Sequence, residues 1–573
     1  MWTGTKLDGT VVEKMIEKPR YGGVHIFARE DEPTIWDHIA RTRIQTWQLN
    51  TVYDMLAHHN LKMGPAGTGE WTGLLGIGGL PQEFFTGAVA ESWEVPDETT
   101  IIYHIRQGVH FALDPTSEAS RLVDGRELTA DDVVFSWKRD YTYGYQSTNY
   151  RYLSDMENLE NSLYVSPTDK WAVVVKSEPG MNQLSFMGTG YYWNYVMAPE
   201  VIERYGPTIT DWGHLVGTGP FMLKDYVEAN ALTYIRNPNY WMRDPFFPEN
   251  QLPYVDGFNI LIIPDASTRL AALRTGKIDT LYDQAAEDAE SLMKTTPELE
   301  WKSYLQDTPA ITMRVDKPEL PFYDVRVRQA LMMAVNHQEL IDLYHEGKAE
   351  LFAYPVIPIP EFRDIYTPLE EMPESVQELY GYHPDKARRL LTEAGYPQGF
   401  ETEVVVWKSE DIDLLSIIKE YWAKIGVDLK IDVKESGVFE SIKARKTVAQ
   451  MIIDKGGSQH IYSLPYQRLG GFFNCGMINE PWVEKLYLEM KRKYFAGGGE
   501  MQAVLTEPMA EGLPNWITYA NEQAWFIPLP SPHLYVLWQP WLKGYHGAHD
   551  TAHSPAWPRF VWIDQELKKA MGH

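Results

Sequence analysis

The sequence predicts an α/β protein of two or more domains, and three observations carry that reading. The chain has 573 residues, well past the roughly 250–300 at which a single core stops growing. Residues 404–407 (Val-Val-Val-Trp) and 427–431 (Val-Asp-Leu-Lys-Ile) read as strands on either side of a helix over 411–424, a β-α-β alternation that calls for a parallel pair. Residues 216–279 read as a glycine turn, a hairpin, a strand, a capped helix and a glycine stop. The C-terminal half is therefore α/β, and a mixed sheet is expected elsewhere.

Taken in order, residues 22–30 form a first strand after a glycine turn, and Trp36-Asp37-His38 turns into a helix expected over 41–57. Residues 60–90 carry many glycines and little periodicity, which predicts loops. Over 99–106, Ile101, Tyr103 and Ile105 alternate with Thr100, Ile102, His104 and Arg106, as in a half-buried strand. Thr129 and Asp132 form a variant capping box, with Asp where Glu is usual, before a helix that buries Val133, Val134 and Trp137. Residues 171–176 form another strand. Asp265 or Ser267 can cap a helix carrying Leu270 and Leu273, because their side-chain oxygens accept orphan N–H groups. Gly276 stands where that helix needs a left-handed residue. Asp324 caps a helix with Val327, Leu331, Ala334 and Val335 on one side. Pro384 and Gly395 bracket another in the proline-first, glycine-last sense. Residues 525–538 are strand-like.

Four blocks, in one order, resemble the extracytoplasmic solute-binding proteins of peptide-type ABC importers, family 5, the dipeptide- and oligopeptide-binding type. They are Ala90-Glu91-Ser92-Trp93 leading through Tyr103-His104-Ile105-Arg106 to Asp124-Gly125-Arg126; Gly217-Thr218-Gly219-Pro220-Phe221 through Arg236-Asn237-Pro238-Asn239-Tyr240-Trp241; Pro321-Phe322-Tyr323-Asp324-Val325-Arg326; and Pro384-Asp385-Lys386-Ala387 through Gly395-Tyr396-Pro397. The resemblance covers about 22–544. It implies an α/β, two-lobed periplasmic binding protein fold (class II, cluster C type) with an extra inserted domain and an interlobe ligand cleft. Lobe I would combine 20–57, 198–300 and 526–573. The inserted domain would be 58–197 and lobe II 301–525, with the hinge near 300 and 525.

Composition narrows the partners. Charged residues give 52 − 79 = −27, which argues against a nucleic-acid partner, since phosphate binding needs Lys/Arg surfaces. It also opposes adhesion to anionic lipid. The single cysteine, Cys475, excludes an intrachain disulfide and a C-x-x-C site; beside Phe472 and Phe473 it reads as a buried thiol. No run of 18 apolar residues occurs. Residues 1–20 lack the apolar core of a secretory leader, so for an extracytoplasmic protein a processed start is expected. Twenty Trp and 34 Tyr serve mainly as core, with some rings free to line a cleft; Tyr191, Tyr192, Trp193 and Tyr195 form one such cluster.

Catalytic signatures are absent: no Gly-x-Ser-x-Gly elbow and no H-E-x-x-H. Gly217-Thr218-Gly219 lacks the Gly-Lys-Ser/Thr of a phosphate loop, and Pro220 removes an N–H that such a loop would use. His546, His549 and His553 are spaced H-x2-H-x3-H, but Gly544, Gly547, Pro555 and Pro558 break the helix that would align them. No metal or cofactor is expected, and the chain is expected not to be an enzyme.

The resemblance places ligand contacts at Arg41, Thr42 and Arg43 in lobe I. In lobe II it places them along 451–462, at Asp454, Gly456, Gly457, Ser458 and His460. Peptide binders of the family carry Gly-Trp and then an aspartate there, whose carboxylate meets the peptide ammonium. This chain has Gly456-Gly457-Ser458-Gln459-His460 instead, so the aspartate is missing from its place and Asp454 lies on the strand side. Trp407 ends an apolar strand and can stack on ligand or pack in the core. Arg41 and Arg43 can fork onto an anion or sit as surface charge. The implied function is the substrate-binding component of an ABC importer. It would capture a peptide or peptide-like solute in the periplasm or outside the cell, as a monomer delivering to membrane permease subunits. A carbohydrate or other polar or anionic solute is the alternative ligand. A hydrolase with paired carboxylates is the alternative of another class.

Overall fold

The computed structural model describes residues 1–40, 47–72, 82–143, 152–186, 189–190, 195–352, 354–408, 412–455, 467–469, 471, 474–497, 499–509, 512–547 and 557–573. The chain forms two units. One comprises Met1–Ser303 and Leu534–His573, the other Tyr304–His533.

In the first unit the strand Val24–Arg29 runs parallel to Gly257–Ile262, with Val24 opposite Gly257. Beyond it lie Ala231–Arg236 and Phe221–Val227, both antiparallel. On its other side is Thr280–Gln284. The helix Ala266–Arg274 closes one face through Leu273, which packs with Ala28, Ile278 and Leu281. Its start is capped as expected: Asp265 Oδ1 accepts from the Thr268 N–H at 2.7 Å. Its end turns on Gly276 at φ +64°, a conformation that glycine adopts without steric cost.

The same unit holds an antiparallel sheet ordered Ala90–Asp97, Thr100–Ile105, Ala172–Lys176, Leu163–Val165. Ile101, Tyr103 and Ile105 are buried, as the alternation predicted. The helix Ala130–Tyr143 buries Val133, Val134 and Trp137, and Asp132 Oδ2 accepts from the Thr129 N–H at 2.7 Å.

One expectation fails here. Residues 47–56 do not continue a helix; they form turns, and Ala57–His59 is a strand paired with Phe85–Gly87. The cause is tertiary. The Thr51 and Val52 carbonyls accept from Phe221 and Gly219, and those of Met55 and Leu56 accept from Val89 and Ala88. Carbonyls committed to distant strands cannot also close helical i→i−4 bonds. This same contact explains Gly217 and Gly219. A Cβ at Gly217 would lie 2.1 Å from the Val52 oxygen, and one at Gly219 2.5 Å from the Thr51 oxygen. The glycines serve close backbone approach, not phosphate.

The second unit is built on a five-stranded sheet ordered Val427–Lys434, Phe400–Trp407, Met451–Lys455, Pro309–Met313, Phe526–Pro528. The first two strands are parallel over their full length, and the helix Ile412–Ala423 joins them. That is the predicted β-α-β unit. Trp422 of this helix is fully buried and donates its indole N–H to the Leu331 carbonyl at 3.0 Å. It thereby anchors the helix Val325–Met333, whose cap is Asp324.

Candidate ligand-binding site

The strands Phe400–Trp407 and Met451–Lys455 are parallel neighbours, with Val404 opposite Met451 and Val405 opposite Ile452. Trp407 and Asp454 lie two residues beyond that last pair, at the carboxyl ends of both strands. Side chains two apart on a strand share a face, so Trp407 and Asp454 share the face of Val405 and Ile452. In open α/β sheets, ligands sit outside such carboxyl ends.

That face is packed. Val405, Phe439, Val448, Ile452 and Cys475 form a core cluster, with Trp407 and Ile442 against it. Burial pushes the Cys475 thiol up to about 11, so the thiol stays protonated and unreactive. Trp407 is half-buried, and its indole N–H is enclosed without a hydrogen-bond partner among the described residues. Asp454 is not a free carboxylate, because it forms an ion pair with Lys443 of the helix Ser436–Ala444. Lys443 is 1% exposed and Asp454 19%. A ligand ammonium approaching Asp454 would meet a charge already neutralised.

Gly456, Gly457, Ser458 and His460 lie outside the described residues, as do Arg41, Thr42 and Arg43. The chain just before the latter is firmly held. Asp37, fully buried, pairs with Arg139 and accepts from the Ile209 N–H at 2.8 Å. Burial alone would raise its carboxyl, but His38 and Arg139 outweigh that and hold it below the usual carboxylate range.

The described residues bring Trp407 and Asp454 to adjacent strand ends. Sequence reasoning missed Lys443, which sits between Ile442 and Ala444 with no local sign of its partner. It missed as well the buried network that His58 shares with Asp54, Arg559 and Trp241: Arg559 Nη2 lies 3.2 Å from Asp54 Oδ1, and Trp241 Nε1 donates to Asp54 Oδ2 at 3.0 Å. Tyr195 is buried, hydrogen-bonded to Asn50 and packed on Tyr53 at 5.5 Å, so it serves the core; Tyr191, Tyr192 and Trp193 lie outside the described residues. No group of three or more His, Cys, Asp or Glu able to hold a metal occurs among the described residues. His549 and His553 fall outside them.

Residues 85–479 match the family described as "Bacterial extracellular solute-binding proteins, family 5 Middle". The chain belongs to this family. It is accordingly a solute-binding protein of the bacterial extracellular type. It is 31% identical over 365 residues to heme-binding protein A of Haemophilus influenzae, covering 59% of this chain and 60% of that protein. It is 28% identical over 416 residues to di/tripeptide-binding protein 1 of Pseudomonas aeruginosa, covering 68% of this chain and 70% of that protein. The first alignment thus spans about three fifths of the relative's length. The periplasmic binding protein DppA of Helicobacter pylori, solved with the peptide STSA, superposes with a TM-score of 0.67 at 21% identity, covering 95% of this chain and 99% of that one. The fold is therefore the two-lobed periplasmic binding protein fold with its extra domain.

Proposed function

We propose that this family 5 protein captures a small peptide or peptide-like solute and delivers it to the permease subunits of an ABC importer. The observation that carries the reading is the family match over 85–479, which includes both strand ends bearing Trp407 and Asp454. The mechanism is closure of the lobes on the solute. A ligand gripped from both sides binds the closed form better than the open one and shifts the population toward it.

Within this reading Arg41, Thr42 and Arg43 contact the ligand from lobe I. Trp407 offers a ring face or its N–H. Gly456, Gly457, Ser458 and His460 contact the ligand from lobe II, and Asp454 acts as half of an ion pair with Lys443. Because that carboxylate is neutralised, the ligand ammonium is a weaker determinant here than in peptide binders with a free aspartate. The protein works as a monomer, with lobe I built from 20–57, 198–300 and 526–573, the inserted domain from 58–197 and lobe II from 301–525.

A second reading, a heme ligand, is favoured by the identity to heme-binding protein A. One experiment separates the two. Mass spectrometry of the molecule released by denaturing the purified protein is followed by calorimetric titration of the emptied protein with di- and tripeptides and with hemin. Stoichiometric peptide binding supports the proposal, and binding of hemin alone replaces it. Turnover of any added peptide would revive the hydrolase alternative.

A further inference from the structure

The first unit contains a cavity of about 600 Å³ walled by His58, Lys62, Arg106, Trp241, Arg243 and Arg559, among others. That volume falls in the range of small-molecule sites. Every charged side chain on the wall is basic, and none is Asp or Glu, in a chain whose net charge is −27.

The charges divide into two groups. Arg559 is neutralised from behind by Asp54, which also lies 3.5 Å from His58 Nε2. Lys62, Arg106 and Arg243 form no ion pair with any described residue. Arg106 Nε donates to the Ala88 carbonyl at 2.9 Å, and Arg243 Nη1 donates to the Glu249 carbonyl at 3.0 Å. A carbonyl orients a guanidinium without cancelling its charge. The Arg106 guanidinium also lies 4.9 Å from the centre of the Trp241 ring, an arrangement that holds the cation over an aromatic face. Arg106 is half-buried; Lys62 and Arg243 are exposed at the mouth. Three positive charges thus face one concave space with no ion-pair partner among the described residues, while Trp241 and Phe560 give it apolar wall.

We propose that this cavity binds a small organic oxyanion carrying at least two negative charges, of carboxylate or phosphate type. Guanidinium forks match such groups, and charge-assisted hydrogen bonds are the strong ones. The site is built from first-unit residues alone and draws on none of the positions assigned to the captured solute.

The test is isothermal titration of the full chain with citrate, tricarballylate and pyrophosphate, at ionic strength held constant with sodium chloride. Constant ionic strength matters because kosmotropic anions stabilise proteins without a site. One-to-one binding of at least one probe is expected, weakening as salt rises. The tricarboxylates and pyrophosphate separate the carboxylate from the phosphate class. The double variant Lys62→Ala/Arg243→Ala removes two exposed side chains, and an unchanged thermal melt will confirm that it folds. It is expected to bind the same probe at least tenfold more weakly, with its peptide or hemin titration unaltered. Absence of binding by all three probes, or equal affinity of the double variant, overturns the proposal. A double variant that loses peptide or hemin together with the anion would mean that the cavity belongs to the solute site instead.

Discussion

The Lys443–Asp454 pair makes a quantitative demand. Replacing Asp454 by Asn removes the counter-charge of an ammonium that is 1% exposed. Removing one partner of a buried ion pair typically costs about 3–5 kcal/mol, whereas exchanging both for uncharged groups is often near neutral. Cys475 provides the assay. It is the chain's one cysteine and is buried in the cluster to which Ile452, two residues before Asp454, also belongs. Its labelling by a thiol reagent under native conditions therefore reports how often this region opens. Since about 1.4 kcal/mol is tenfold in an equilibrium constant, Asp454→Asn should speed labelling on the order of a hundredfold to a few thousandfold. The double variant Asp454→Asn/Lys443→Met should return most of that loss. A single variant that labels less than tenfold faster, or a double variant as fast as the single, would refute the claim that the carboxylate is committed to Lys443.

The buried imidazoles, the close backbone contact at Gly217 and the half-buried Trp407 each carry a measurable consequence. Burial lowers His25 and His337 to about 4 from 6.5. The unfolded chain therefore takes up these two protons first as pH falls. Their contribution is complete above pH 6.5 and lost toward pH 4, each at up to about 1.4 kcal/mol per pH unit. Urea midpoints at pH 7.5, 6 and 5 should fall in that order, and a flat series would contradict the burial of neutral imidazoles. Gly217→Ala should destabilise the first unit by at least about 1–3 kcal/mol, the usual cost of overpacking, because its methyl would overlap the Val52 carbonyl; a urea midpoint within error of the parent would exclude that contact. Trp407→Phe should keep the fold, since the ring packs only at the edge of the core cluster, yet weaken the co-purified ligand severalfold by calorimetry. Unchanged affinity would assign Trp407 to packing alone.

What the sequence disclosed and what it hid follow one physical line. Helix ends were legible because a cap is settled within four residues: Asp265, Asp324 and Asp132 each accept from the predicted neighbourhood. The β-α-β unit was legible because the strand runs at 404–407 and 427–431 and the helix between them are contiguous. The segment 47–57 misled because its apolar spacing suits a helix while its carbonyls are claimed by strands about 35 and 170 residues away in sequence, a non-local competition that no window can register. The same holds for charge. Composition counted 52 bases against 79 acids and spoke only against nucleic acid and anionic lipid as partners. The fold instead gathers Lys62, Arg106 and Arg243 from three separate segments around one cavity, and ties Lys443 to Asp454 across 11 positions. Net charge governs behaviour at long range. A site is decided by which charges lose their partners when the chain folds, so an acidic protein can hold its basic residues in reserve for an anion.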